Sequence, residues 1–279
     1  MILKGQTSRL SLKSAKEKSK ETILEDPNPL LAAKSLFSLS SLISEHEKVL
    51  DAFLDASHTP EEKGKLASAL LPSPSPLAAS IMSTLCSLLW SERGDIEWAS
   101  NEMGKECLME GAEKRGALEK VREELEAFQL LASSTPLLDR GLSDKLASSS
   151  KRASLCEKIV PEEFEPESRA FAKRCAEEEG GRYSMRLLED IGGVTSFLGE
   201  VGIEVRSASP LSSRQASSLK EAYFKKLAKP VHLRQIPDPN LVGGFTVRCG
   251  AEVTDMSAQA QLKALSGAMR KKMAFSIKI

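Results

Sequence analysis

The side chains that do chemistry near neutral pH are few and scattered. Histidines stand at His46, His58 and His232, and cysteines at Cys86, Cys107, Cys156, Cys175 and Cys249. Two histidines a helical turn apart, with a glutamate beside the first, would hold zinc and activate water. Glu47 follows His46, but no second histidine sits one turn on. The cysteines lack the short spacings of a zinc site or a disulfide framework and read as buried, reduced thiols. His232 and Cys249 both fall in strand-like runs and are the one pair from which a small enzyme could be built; packing is the plainer role for each. A phosphate cradle needs Gly-x-x-x-x-Gly-Lys followed by Ser or Thr, which is absent, and Gly243-Gly244 is not followed by a helix carrying Lys or Ser. The serines are numerous, yet no Gly-x-Ser-x-Gly turn presents one as a nucleophile. Glu177-Glu178-Glu179 reads as a solvated helix end rather than an ion site. No catalytic constellation emerges, and no cofactor or metal site.

The bulk numbers agree with a scaffold. In 279 residues, 39 basic and 39 acidic side chains leave a formal net charge of zero, which gives no support to a nucleic-acid binder held by phosphate neutralisation. A hydrophobic content of 41% permits a packed core, while 5% aromatic residues and abundant Ala, Ser, Leu, Glu and Lys favour helices. No apolar run approaches the roughly eighteen residues of a membrane span. Met1-Ile2-Leu3-Lys4 lacks the apolar core of a secretion signal. Membrane contact is therefore expected only through a partner or as surface attachment.

Three regions are expected. Residues 1–28 are a polar segment, basic at Lys4, Arg9, Lys13, Lys16, Lys18 and Lys20 and then acidic; it reads as a solvated, frayed helix or as an arm for anionic lipid or an acidic partner. Residues 29–200 carry a helical period. Leu36, Leu39 and Leu42 form one stripe, Ile81, Leu85 and Leu88 another, and a long charge-laced helix after Gly94 is expected to run on through Leu118, Val121, Leu125, Phe128 and Leu131. This region repeats itself. Leu36, Leu39 and Leu42 return as Leu125, Phe128 and Leu131; Leu50-Asp51 and Leu54 return as Leu138-Asp139 and Leu142; Lys63, Leu66, Leu70, Leu71 and Pro72 return as Arg152, Leu155, Ile159, Val160 and Pro161. The copies are placed at about 30–120 and 121–200, and the two leucine-rich stripes are candidate partner-binding faces.

Residues 201–279 change period. Ile203 and Val205 alternate with polar residues as a strand, Ser212 or Ser213 caps a helix with Ala216, Leu219, Tyr223 and Leu227 on its apolar side, and two more strands carry Val231, Leu233 and Ile236, then Phe245, Val247 and Cys249. Asp238-Pro239-Asn240 between them is turn chemistry, and Gly244 is placed for positive φ or close packing. A last helix is expected near Ser257, with Leu262, Leu265, Met269 and Met273 on one face and Arg270, Lys271 and Lys272 at its end. The whole reads as mainly α: a duplicated helical bundle followed by a small β-α-β-β-α domain.

Asp238-Pro239-x-Leu241-Val242-Gly243-Gly244-Phe245-x-Val247-Arg248-x-Gly250 resembles the C-terminal signature of the delta subunit of the bacterial rotary ATP synthase, whose mitochondrial counterpart is the oligomycin-sensitivity-conferring protein. Val205-Arg206-Ser207-Ala208-x-Pro210-Leu211 upstream and Val253-Thr254-Asp255-x-Ser257 downstream match the same family in the right order. Pro237 stands where the family usually has an aliphatic residue. The enlarged helical region is similar to the actinobacterial form. The resemblance implies a non-catalytic stator subunit without cofactor, peripheral on the cytoplasmic side of the cell membrane. It also implies that alpha subunits of the catalytic head are gripped by the helical part and b subunits of the peripheral stalk by the C-terminal part. From the residues alone, a soluble helical adaptor for unrelated amphipathic helices is the alternative.

Overall fold

A computed structural model describes residues 4–71, 73–250, 252–263 and 266. The chain divides into two compact units, Met1–Ile191 and Gly192–Ile279. The boundary falls inside one helix. Helices α1 (Gln6–Glu25), α2 (Pro29–Glu45), α3 (Glu47–Leu54), α4 (Pro60–Ala69), α5 (Pro76–Cys86) and α6 (Asp95–Lys114) are followed by α7 (Leu118–Ser134), α8 (Pro136–Leu142), α9 (Ser149–Ile159), α10 (Pro166–Glu177) and α11 (Tyr183–Phe197).

The repeat read from leucines is a repeat of whole elements. Helices starting at 6, 29, 47, 60, 76 and 95 recur at 95, 118, 136, 149, 166 and 183, each 88 to 90 residues later. Packing recurs with them: α4 on α5 becomes α9 on α10, α2 on α5 becomes α7 on α10, and α1 on α5 becomes α6 on α10. Caps recur too. Thr59 accepts from Glu62 N at the start of α4, and Ser148 accepts from Lys151 N at the start of α9. The two six-helix sets overlap rather than abut, because α6 is the last helix of the first and the first of the second.

That double duty explains the composition of α6. Along it Ile96, Ala99, Met103, Cys107, Leu108 and Ala112 are buried, together with Asp95, Ser100, Asn101 and Glu110. A helix covered on all sides cannot be strongly amphipathic. Small residues let its neighbours close: a Cβ on Gly104 would lie 2.5 Å from the Phe37 ring, and one on Gly111 3.2 Å from Pro29, both on α2. Ser100 Oγ donates to Leu36 O at 3.0 Å across the same contact.

Two expectations in this region are corrected. The helix in the polar N-terminal segment is not solvated and frayed: α1 packs on α5 and α6 with Ala15 and Ile23 fully buried. Three lysines of the segment meet the acids of α6, Lys4 with Asp95 at 2.7 Å, Lys16 with Glu106 at 2.8 Å and Lys20 with Glu110 at 3.5 Å. Half of the basic residues from which an arm for an outside partner could be built are thus answered inside the bundle. The long helix after Gly94 is two helices. Gly116, at φ +65, stops α6, with Gly116 N donating to Glu113 O and Ala117 N to Ala112 O, the two hydrogen bonds of a Schellman cap.

The C-terminal unit is a four-stranded sheet with a helix on one face. Strands β1 (Val201–Ser207), β2 (Val231–Pro237), β3 (Gly244–Cys249) and β4 (Glu252–Ser257) lie in the order β2-β1-β3-β4, with α12 (Ser213–Leu227) between β1 and β2 in the chain. β1 and β2 are parallel, and β1–β3 and β3–β4 antiparallel. Ser212 caps α12 in a reciprocal box with Gln215. Ile203, Val205, Val231 and Val247 form the core beneath Tyr223, with Leu219 and Leu227 packed at its edge. The expected order is present with one more strand: residues 252–257, read as a turn and a helix start, pair with β3, and helical backbone resumes at 258–263. Ile236 belongs to the opposite face from Val231 and Leu233, as its even position along the strand requires. Pro72, Leu265, Met269, Arg270, Lys271, Lys272 and Met273 lie outside the described residues.

The Asp-Pro segment is not a hairpin. β2 and β3 flank β1, so residues 238–243 must pass over the end of β1. Asp238 N donates to Ser207 O at 2.9 Å, Asp238 Oδ1 accepts from Asn240 N at 3.0 Å, and Asp238 O accepts from Leu241 N at 3.2 Å. Pro237 costs no ladder bond there, because β2 is an edge strand. Gly244 follows at φ +76, and a Cβ would overlap Met256 O and stand 2.9 Å from Ser257 Cα. Gly244→Val should therefore destabilise this unit by about 1–3 kcal/mol. Gly243→Ala, whose new Cβ would stand 3.7 Å from Ala258 Cβ, should be near neutral. Hydrogen exchange of β3 and β4 amides distinguishes the two variants, and equal protection in both would refute the assignment.

Candidate functional site

The residues with reactive potential are not brought together. His46 caps α3 and is exposed, and exposed His58 sits beside Ser57 and Asp55. His232 and Cys249 lie on β2 and β3 with β1 between them. Cys249 packs toward the core, while His232 alternates with core residues Val231 and Leu233 and so lies on the other face. The pair therefore has no shared chemistry. Burial pushes the Cys86 thiol up to about 11 and Cys156 to about 12, and raises Cys107 and Cys175 further, so none of these four is a ready thiolate. Among the described residues no group of three or more His, Cys, Asp or Glu is placed to hold a metal ion.

The proposed partner-binding stripes are largely core. Leu36, Leu39 and Leu125 are wholly buried and Phe128 nearly so, Leu42 is half-buried, and only Leu131 is open at 45%. The helical period identified the buried side of α2 and α7, since an apolar stripe is the side a bundle consumes first. The signature residues Asp238, Pro239, Leu241, Gly243, Gly244 and Gly250 lie in connections or, for Gly244, at the start of a strand. Asp238, Pro239, Leu241 and Gly243 carry the crossover from β2 to β3, Gly244 is the first residue of β3, and Gly250, at φ +58, lies in the turn between β3 and β4.

Sequence reading missed a buried charge network at the junction of the two helical sets. Lys105 on α6 reaches Asp190 on α11 at 2.6 Å, Glu178 at 3.3 Å and Glu102 at 3.5 Å. Asn101 donates to Glu178 at 2.8 Å and accepts from Arg174 Nε at 2.6 Å. Arg174 also donates to Ser40 Oγ, Ser41 Oγ and Phe37 O on α2. Glu177-Glu178-Glu179 is thus not a solvated end, for only Glu179 is exposed. Apart from Lys105 and Glu102, the partners that join different helices lie more than seventy residues apart, which leaves no local signal of such a site.

Three carboxylates share the Lys105 ammonium, and their surroundings separate Asp190 from Glu178. Burial pushes Asp190 up to about 6 against the pull of Lys105, with Glu178 competing for that ammonium; its Oδ2 has no hydrogen-bond partner. Burial opposes the charge of Glu178 as well, but Lys105, Arg174 and Asn101 hold its carboxyl below the ordinary value. Lys105 stays protonated, held well above its ordinary value in spite of burial by Asp190, Glu178 and Glu102. Asp190 is the group that takes a proton. Because it binds that proton more tightly folded than unfolded, it adds stability below its ordinary value of 3.8, and this is lost as pH rises through about 6. Relative to Asp190→Asn, the native chain should gain stability as pH falls from 7 to 4, read by urea unfolding; a pH-independent difference would refute the assignment. Lys105→Met should cost on the order of 3–5 kcal/mol at pH 7, and less at pH 5, where one of the stranded carboxylates is protonated.

A family model described as ATP synthase delta (OSCP) subunit matches residues 106–269, more than half of the chain. The match begins inside α6 and spans α7 to α11 and the sheet unit, so the first helical set lies almost wholly outside it. The chain is 27% identical over 270 residues to the ATP synthase subunit delta of Bifidobacterium animalis subsp. lactis, covering 94% of this chain and 96% of that protein. To the ATP synthase subunit delta of Corynebacterium urealyticum it is 29% identical over 238 residues, covering 85% and 87%. To that of Frankia alni it is 28% identical over 239 residues, covering 85% and 86%. These actinobacterial relatives match over most of their length, first helical set included. The chain belongs to the ATP synthase delta (OSCP) subunit family.

Proposed function

We propose that this chain is a non-catalytic peripheral-stalk subunit that holds the catalytic head of a proton-translocating ATP synthase against its membrane sector, so that rotor torque drives synthesis rather than rotation of the head. The observation that carries the reading is the family match across the second helical set and the sheet unit together. In this reading the second set, α6 to α11, grips the alpha subunits, and the C-terminal unit binds the b subunits. No described helix is long and apolar enough to cross a membrane, so attachment to the cytoplasmic side of the membrane runs through these partners. A brace needs slow dissociation and a stiff body. Burial of apolar helix faces supplies the first, and interdigitated side chains around α6 supply the second.

Purification of the tagged chain from detergent-solubilised membranes should recover the alpha and b subunits in fixed ratio. Depletion of the chain should abolish proton-driven ATP synthesis in membrane vesicles while the detached head still hydrolyses ATP. Recovery without either subunit, or undiminished synthesis after depletion, would overturn the proposal.

A further inference from the structure

Where the two helical sets meet, α2 of the first faces α9 and α10 of the second across a half-open cleft of about 360 Å³. The cleft exists only because the sets are joined. Its floor is apolar, made by Phe37, Val160 and Ala170, each at least nine-tenths buried. Its walls carry Lys34, Arg169, Lys173 and Arg174 against Glu157 and Glu177. The acids are already answered: Glu157 pairs with Lys173 at 2.7 Å and Glu177 with Arg174 at 3.4 Å. Arg174 is further committed to Asn101, Ser40 and Ser41. That leaves Lys34 and Arg169 at the rim, both exposed and, among the described residues, without an ion-pair or hydrogen-bond partner for their side chains.

This surplus is not inherited from the repeat. By the offsets of their helices, the repeat positions matching Lys34, Arg169 and Lys173 are Glu123, Ala79 and Ser83. The cations belong to the meeting of the sets and to nothing else.

We propose that this cleft receives an acidic, partly apolar segment of another polypeptide, with a side chain seated on Phe37 and Val160 and carboxylates facing Lys34 and Arg169. Complementary charge at a rim around an apolar floor is how a groove selects and registers a peptide. The cavity is at the small end of the ~300–1,000 Å³ of ligand pockets and holds a few side chains, not a whole cofactor. A nucleic acid would need a longer cationic track than two unpaired side chains in a chain of zero net charge.

The test uses the full-length chain in cells, with a photo-reactive benzoylphenylalanine in place of exposed Ser38 at the lip of the cleft. After irradiation the chain is purified and the cross-linked peptide sequenced. The expected product joins residue 38 to a segment of a different protein in which Asp or Glu flank an apolar residue. Its yield should fall about tenfold in a Lys34→Glu, Arg169→Glu variant and by a smaller factor in Lys34→Gln, Arg169→Gln, as rim charges steer association. Helicity by circular dichroism verifies that both variants are folded. Cross-links confined to the chain itself, to a segment without acidic residues, or insensitive to charge reversal would overturn the proposal. Because the readout is the cross-linked segment and not ATP synthesis, the result is separable from that of the stator reading.

Discussion

The structure depends on one helix being buried from both sides. α6 closes the first six-helix set and opens the second, so neighbours cover it almost all the way round. Two requirements follow. Its side chains must be small where helices cross, which Gly104 and Gly111 satisfy against Phe37 and Pro29. Its charges must be neutralised within the protein, because an unpaired buried charge costs several kcal/mol. On one side Lys4, just ahead of α1, and Lys16 and Lys20 on it answer Asp95, Glu106 and Glu110. On the other, Asp190 and Glu178 answer Lys105. Burial alone would raise Asp95, yet Lys4, the Ser8 hydroxyl and the Glu92 amide hold its carboxyl below the ordinary value.

Sharing a helix also removes the flexible linker that tandem modules usually have. Arg174 shows the consequence. It stands on the fifth helix of the second set, donates to Ser40, Ser41 and Phe37 O of the first set, and bonds Asn101 on the shared helix. Its guanidinium lies 5.4 Å from the Phe37 ring centre, adding a cation–π contact on that same side chain. One residue therefore ties three elements from both repeats, and relative motion of the two sets would have to break several hydrogen bonds to a buried cation at once.

Local pattern made much of this legible. Helical period and its repeat located α2, α3, α4, α5 and α9 within a few residues, and alternation located β1, β2 and β3, because a half-buried element repeats its polarity with its own geometry. The duplicated spacing pointed to a repeat, though its first helix was hidden: α1 is so polar that its buried side consists of Ser8, Ser11, Ser19 and Ala15 beside Leu12 and Ile23. The stop between α6 and α7 rested on Gly116 alone, with charged residues on either side masking it. β4 was missed because only Val253 and Met256 mark it, and both remain substantially exposed. The Lys105 network had no local signature at all. Pairing across the fold is fixed by topology, and the period of a helix says only which side is covered, not what covers it.

A family signature in a protein without reactive groups raises the question of what such a motif marks. Here it marks backbone geometry. The chain leaving β2 must cross the end of β1, a lateral step of two strand spacings or about 10 Å, and then enter β3 antiparallel to β1. Asp238 starts the crossing by donating to the last carbonyl of β1 and closing a turn on Leu241. Gly243 O accepts from Ala258 N at 2.9 Å, which joins the crossing to the residue that follows β4. Gly244 then takes the one conformation and the one side-chain size that let β3 begin beneath Met256 O. Asp238 and Gly244 each answer a hydrogen-bonding or steric demand of the β2-β1-β3-β4 order, and Val242, whose side chain touches almost nothing at 99% exposure, answers none of them. The motif is therefore evidence of topology, and it reaches function only through the shape that this topology gives to the sheet.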